Sequence, residues 1–216
     1  TLYSLKGEFT KSTVSAVEEF TKELNELRDK FNLEGPGCDT VALDKGLELM
    51  QEYKVLLEEK QKRKEYLTTA EKLFNLSITP YPQFFEVEKQ METLWRIYSI
   101  FAKWQDTVEQ WSAKLWAEID IDGMESTTQK FWVEVKQLRG NIRNLPPYAS
   151  LLQTIETFQK SIPLFANMKS EALRPRHWTA LMETTGKSFD INPKTFTLQN
   201  LVELKPGDPV VHINHG

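Results

Sequence analysis

Apolar residues step by three and four along most of this chain, the spacing that lines one stripe of an α-helix. Val17, Phe20, Leu24, Leu27 and Phe31 form the first such stripe, and Gly35-Pro36-Gly37 is predicted to end it. A second helix is predicted over Leu43, Leu47, Met50, Tyr53 and Leu57. It continues through the mixed-charge run Glu58 to Glu65 and resumes with Leu67, Ala70 and Phe74, so its middle should be wetted. Thr79-Pro80-Tyr81-Pro82 is a stiff break, because each proline fixes its own φ and biases the preceding residue away from helix.

The strongest periodicity follows. Leu94, Ile97, Phe101, Trp104, Val108, Trp111 and Leu115 alternate steps of three and four, and Trp95 and Tyr98 widen the apolar face. At this spacing the rings are expected in a core rather than in a cofactor or peptide groove. Another helix is predicted after Asp120-Ile121-Asp122-Gly123, with Ser126 starting it and Phe131, Val135 and Leu138 facing inward; it should stop before the turn Asn144-Leu145-Pro146-Pro147. Tyr148, Leu151, Ile155, Phe158, Ile162 and Phe165 share the next face, and a short helix should cover Glu171 to Glu183. Beyond it, only Phe196 to Leu204 keep helical periodicity, and only Val210 to Ile213 suggest a strand. The expected fold is all-α: an elongated bundle or stack of several long amphipathic helices joined by Pro and Gly breaks. Three segments are expected, an N-terminal helical segment 1–78, a second helical segment 79–204 and an irregular C-terminal tail 205–216.

Composition narrows the function classes. Hydrophobic residues at 40% of 216 suffice for a core, and no apolar run approaches the roughly 20 residues of a membrane span. The net charge of -4 is spread over interspersed acidic and basic residues, which argues against nucleic acid and membrane as partners. The lone Cys38 and the absence of a signal-peptide pattern lead us to expect a reducing, intracellular setting. The lack of an initiator Met leads us to expect a piece of a longer protein.

Each apparent catalytic or ligand motif fails a physical requirement. Gly186-Lys187-Ser188 resembles the end of a phosphate-binding loop, but the position that needs the opening glycine is Leu181, so the backbone N–H groups would not converge on a phosphate. Glu118, Asp120, Asp122 and Gly123 suggest a calcium loop whose twelfth position holds Gln129 instead of a bidentate Glu. His212 and His215, with Asp208, could share a metal only in a tail without periodicity. His177 lacks a nearby Ser, Cys or carboxylate partner, and Cys38 has no basic neighbour to lower its pKa. No catalytic residue, cofactor site or metal site is therefore assigned.

Leu173-Arg174-Pro175-Arg176-His177-Trp178, followed by Leu181-Met182 and by Phe196-Thr197-Leu198 with Leu201 and Leu204, resembles the linker region of dynein heavy chains. Lys160-Ser161-Ile162-Pro163-Leu164 and the tryptophans Trp95, Trp111, Trp116 and Trp132 are similar to the same family, over about Leu43 to Leu204. The resemblance implies a non-catalytic lever that joins the tail to an AAA+ ring and moves between bent and straight forms as the ring hydrolyses ATP. It implies as partners the AAA+ ring of the same heavy chain and, through the parent protein, intermediate and light chains and a microtubule. It also implies a place in the cytoplasm and cytoskeleton, in the axoneme of a cilium or flagellum. Segment 1–78 would then close the tail, 79–204 would open the linker, and 205–216 would be an added or alternatively coded ending. Arg176, His177 and Trp178 are the family signature, expected to pack and hydrogen-bond rather than to react. The alternative is a helical scaffold of spectrin-like type, against which stands the lack of a constant repeat interval.

Overall fold

A computed structural model describes residues 1–169 and 197–203. The described residues are all-α: α1 Leu2–Glu34, α2 Leu43–Leu73, α3 Pro82–Ala113, α4 Ile121–Lys136, α5 Pro146–Lys169 and α6 Leu198–Glu203, with short 3-10 turns at Trp116–Glu118 and Gly140–Asn144. Among them no strand forms, and a single antiparallel bridge joins Leu115 to Thr197. No described helix is long and apolar enough to cross a membrane. The chain divides into two units, Thr1–Tyr98 and Ser99–Gly216.

In the first unit α1 buries the predicted stripe Val17, Phe20, Leu24, Leu27 and Phe31. Gly35 ends the helix with its N–H donating to Phe31 O at 3.0 Å. A Cβ there would press on Phe31 O and stand 3.0 Å from Phe31 C, so only glycine fits this close approach. Edge-to-face pairs at 5.1 Å, Phe31 with Tyr53 and Phe20 with Tyr81, tie α1 to α2 and to the segment before α3. The middle of α2 is wetted as expected, Leu57 and Leu67 being the buried residues on either side of it. At the end of α2 the buried carboxylate of Glu71 accepts the Thr79 N–H at 3.1 Å and the Thr79 hydroxyl at 2.7 Å, pinning the proline-containing break to the helix it follows. Tyr98 is wholly buried, and its hydroxyl donates to Pro36 O at 2.6 Å. Gly46 supplies the space in α2 that the Tyr98 ring fills.

The second unit packs α4 along α5 beneath the rings of α3. Every predicted position on α5, from Tyr148 through Leu151, Ile155, Phe158 and Ile162 to Phe165, is buried. The helix runs through Pro163, which cannot donate to the carbonyl one turn back; the buried Ser161, Ile162 and Phe165 around it hold the helical path.

Four expectations are corrected. Ser126 does not start α4: Asp120 caps it, accepting the Gly123 N–H at 3.1 Å, and Ser126 lies inside the helix. Pro146-Pro147 is not a turn but the opening of α5, since proline at a first helical position loses no hydrogen bond. Trp95 does not widen the core face and stands 53% exposed. Leu115 lies past the end of α3. The predicted helix from Glu171 to Glu183, the Gly186-Lys187-Ser188 segment, the histidines His212 and His215 and the tail from Lys205 lie outside the described residues.

Candidate functional site

The acidic run Glu118 to Gly123 spans the end of a 3-10 turn, the cap of α4 and its first turn. Asp120 is engaged by its own helix start, Asp122 sits in the first turn, and the Gln129 side chain accepts from Gln159 Nε2 at 2.9 Å. Among the described residues no group of His, Cys, Asp or Glu is placed to hold a metal ion. The Cys38 thiol is half-buried and donates to Asn32 O at 3.3 Å. Arg176, His177 and Trp178 lie outside the described residues.

Two features stand out, one in each unit. The first is the aromatic core of the second unit. Trp104 meets Trp111, Phe131 and Phe158 edge to face, with centroids at 6.2, 5.4 and 5.2 Å, and Trp111 stacks on Phe158 at 5.5 Å. Each such pair adds about 0.5–1.5 kcal/mol beyond burial, and large rigid rings in mutual contact leave few ways for the helices to slide. Polar ties brace the seam: Trp132 Nε1–H donates to Glu156 Oε1 at 3.1 Å, and Lys169 Nζ donates to Ile119 O. The Lys169 ammonium also lies over the Trp116 ring, 5.9 Å from its centroid. The spacing marks Trp104 and Trp111 as core, and the structure shows which rings they meet.

The second is a groove of about 860 Å³ between α2 and α3 in the first unit. The two helices run antiparallel there: Gly46 faces Tyr98, and Lys64 lies over the Phe84 ring, 5.0 Å from its centroid. Met50, Leu57 and Met91 form its floor, and Trp95 flanks it. The carboxylates of Glu58, Glu65, Glu88 and Glu92 and the amines of Lys54 and Lys62 line its sides, and none of these groups joins an ion pair among the described residues. Periodicity alone missed this groove because it cannot tell a stripe covered by a neighbour from one left open.

Comparison with known proteins gives a consistent answer. The family model described as dynein heavy chain, N-terminal region 2, matches residues 84–214, a span that includes Arg176, His177 and Trp178 and runs into the tail from Lys205. The chain is 38% identical over 204 residues to the dynein-1-alpha heavy chain of the flagellar inner arm I1 complex of Chlamydomonas reinhardtii, covering 94% of this chain and 4% of that one. It is 34% identical over 204 residues to human dynein axonemal heavy chain 10, with the same coverage of 94% and 4%. To rat dynein axonemal heavy chain 5 it is 28% identical over 203 residues, 94% of this chain and 6% of the relative. The chain thus spans a small fraction of the length of the curated relatives it matches.

Proposed function

This chain belongs to the dynein heavy chain family, N-terminal region 2, and we propose that it is a non-catalytic mechanical element of a microtubule motor, the lever that couples ATP-driven changes in an AAA+ ring to movement of the tail. Catalysis would lie in ring modules elsewhere in the heavy chain, and intermediate chains, light chains and the microtubule would be reached through the parent protein. The names of the relatives support a place in the axoneme of cilia or flagella. In this reading residues 1–78 close the tail and 79–204 open the linker, with Arg176, His177 and Trp178 packing within it.

The observation that carries the reading is the ring-filled core of the second unit, which lies within the family match. A lever must pass strain along its length, and close-packed interiors do so with little compliance. The test is a heavy chain containing this segment with Phe158→Ala. Removing that ring leaves Trp104 and Trp111 without a shared partner and costs about 3–5 kcal/mol in the second unit. ATP hydrolysis should continue while microtubule gliding velocity per ATP falls. An unchanged velocity per ATP, with the core shown to be loosened by faster hydrogen exchange, would reject the lever.

A further inference from the structure

We propose that the α2–α3 groove of the first unit is a docking site for a basic amphipathic α-helix of a partner polypeptide. The inference rests on that unit's geometry and does not depend on the lever reading.

The shape of the groove points to a helix. Its walls are two antiparallel helices whose backbone N–H and C=O groups are bonded internally, so an extended peptide would find no ladder to join. A helix brings its own hydrogen bonds and presents side chains in ridges that fit between two others. The lining runs from Leu47 to Glu65 along α2, about 27 Å at about 1.5 Å per residue, the length of a five-turn helix. Met50 and Met91 give a floor that can reshape around an incoming side chain. Trp95, 53% exposed beside that floor, is the residue type that most often dominates the energy of an interface.

The charges choose the partner. Glu58, Glu65, Glu88 and Glu92 outnumber Lys54 and Lys62, and no ion pair within the described residues neutralises them. A helix with Leu or Ile on one face and Lys or Arg along its flanks would bury the apolar floor and meet the carboxylates at the sides. Two copies of this chain pairing groove to groove would instead bring two linings together in each of which carboxylates outnumber amines.

The test uses the 216-residue chain and a fluorescent synthetic helix of Leu and Lys about 27 Å long, with a scrambled peptide and a Leu/Glu peptide as controls, followed by anisotropy. The Leu/Lys helix should bind saturably and the controls should not. Trp95→Ser should weaken binding by about tenfold or more, whereas Phe85→Ser, which removes another exposed ring of α3 outside the groove lining, should leave it unchanged. The charge-reversed Glu88→Lys/Glu92→Lys chain should lose the Leu/Lys helix and gain the Leu/Glu one. Because Trp95 is half-exposed, its variant should melt like the parent, which keeps the comparison interpretable. Equal binding of the scrambled peptide, or equal effects of Trp95→Ser and Phe85→Ser, would overturn the proposal. So would a dimer in sedimentation that Trp95→Ser dissociates, since the groove would then belong to a second copy.

Discussion

Replacing Gly46 by Ala sets two physical effects against each other, and the structure decides the sign. In a helix, Ala is favoured over Gly by up to about 1 kcal/mol, so propensity alone predicts a more stable chain. At this position, however, the added methyl would lie 2.7 Å from Cζ and 2.9 Å from Cε1 of Tyr98, and closer still to its hydroxyl oxygen. The ring cannot retreat into solvent, because Tyr98 is 0% exposed. Overpacking of this kind costs about 1–3 kcal/mol. Moving the hydroxyl also breaks its 2.6 Å bond to Pro36 O, and a buried carbonyl left without its donor costs about 1–3 kcal/mol more. Against the propensity gain, the net loss should be about 3 kcal/mol. Urea unfolding should show the midpoint of the first unit shifted down at unchanged slope. Combining Gly46→Ala with Tyr98→Phe should cost less than the two separate losses together, because the same hydrogen bond is broken only once. A Gly46→Ala chain as stable as the parent, or more so, would refute the packing of α2 against Tyr98.

Tyrosine hydroxyls in the first unit supply a paired test: Tyr98→Phe should destabilise by about 1–2 kcal/mol by orphaning Pro36 O, whereas Tyr81→Phe should be neutral or stabilising, because the buried Tyr81 hydroxyl has no hydrogen-bond partner among the described residues. Their titration gives a pH prediction. Burial above all, with Cys38 nearby, pushes the Tyr98 hydroxyl well above its ordinary range, and burial first also raises Tyr53 and Tyr81. The folded chain then keeps protons that the unfolded chain releases above about pH 10, so this stability is fully present below that pH. It is lost as pH rises further, by up to about 1.4 kcal/mol per pH unit for each tyrosine. Urea midpoints taken up an alkaline series should fall less steeply for Tyr98→Phe. At the start of α4, Asp120→Ala should cost about 1 kcal/mol in thermal unfolding and Ser126→Ala almost nothing, because only Asp120 accepts from the helix N-terminus.

What was legible in the sequence was whatever a single helix reveals about itself. The stripe from Val17 to Phe31 and the face from Tyr148 to Phe165 are buried position for position, because a helix with one apolar stripe has one way to dry it. Pro80 lies in the break between α2 and α3 as expected, but Pro82 and Pro146 are first residues of helices and Pro163 lies inside α5; a proline's missing N–H costs nothing at a helix start, and in the interior the surrounding packing must offset it. Ser126 and Asp120 are both good caps by type, and only the backbone path selects Asp120.

What remained illegible depends on pairs of residues distant in sequence. Gly46 carries no signal of its own; its absence of a side chain acquires meaning only when Tyr98 is placed against it. Trp95 shows the same limit from the other side. It belongs to the apolar stripe of α3 by spacing, yet Leu94, Ile97 and Tyr98 are buried, Leu94 against Gly37 and Tyr98 against Gly46, while Trp95 is left at the open edge. A stripe wider than its own neighbours can cover implies either a cost in exposed apolar surface or a partner that covers the remainder. Carboxylates that join no ion pair among the described residues line the same groove and favour the partner, because exposed apolar surface beside them adds nothing to solubility. The exposed tryptophan and the groove are therefore one observation: spacing places Trp95 on the apolar side of α3, the first unit leaves it open beside the groove, and the proposed partner helix would cover it.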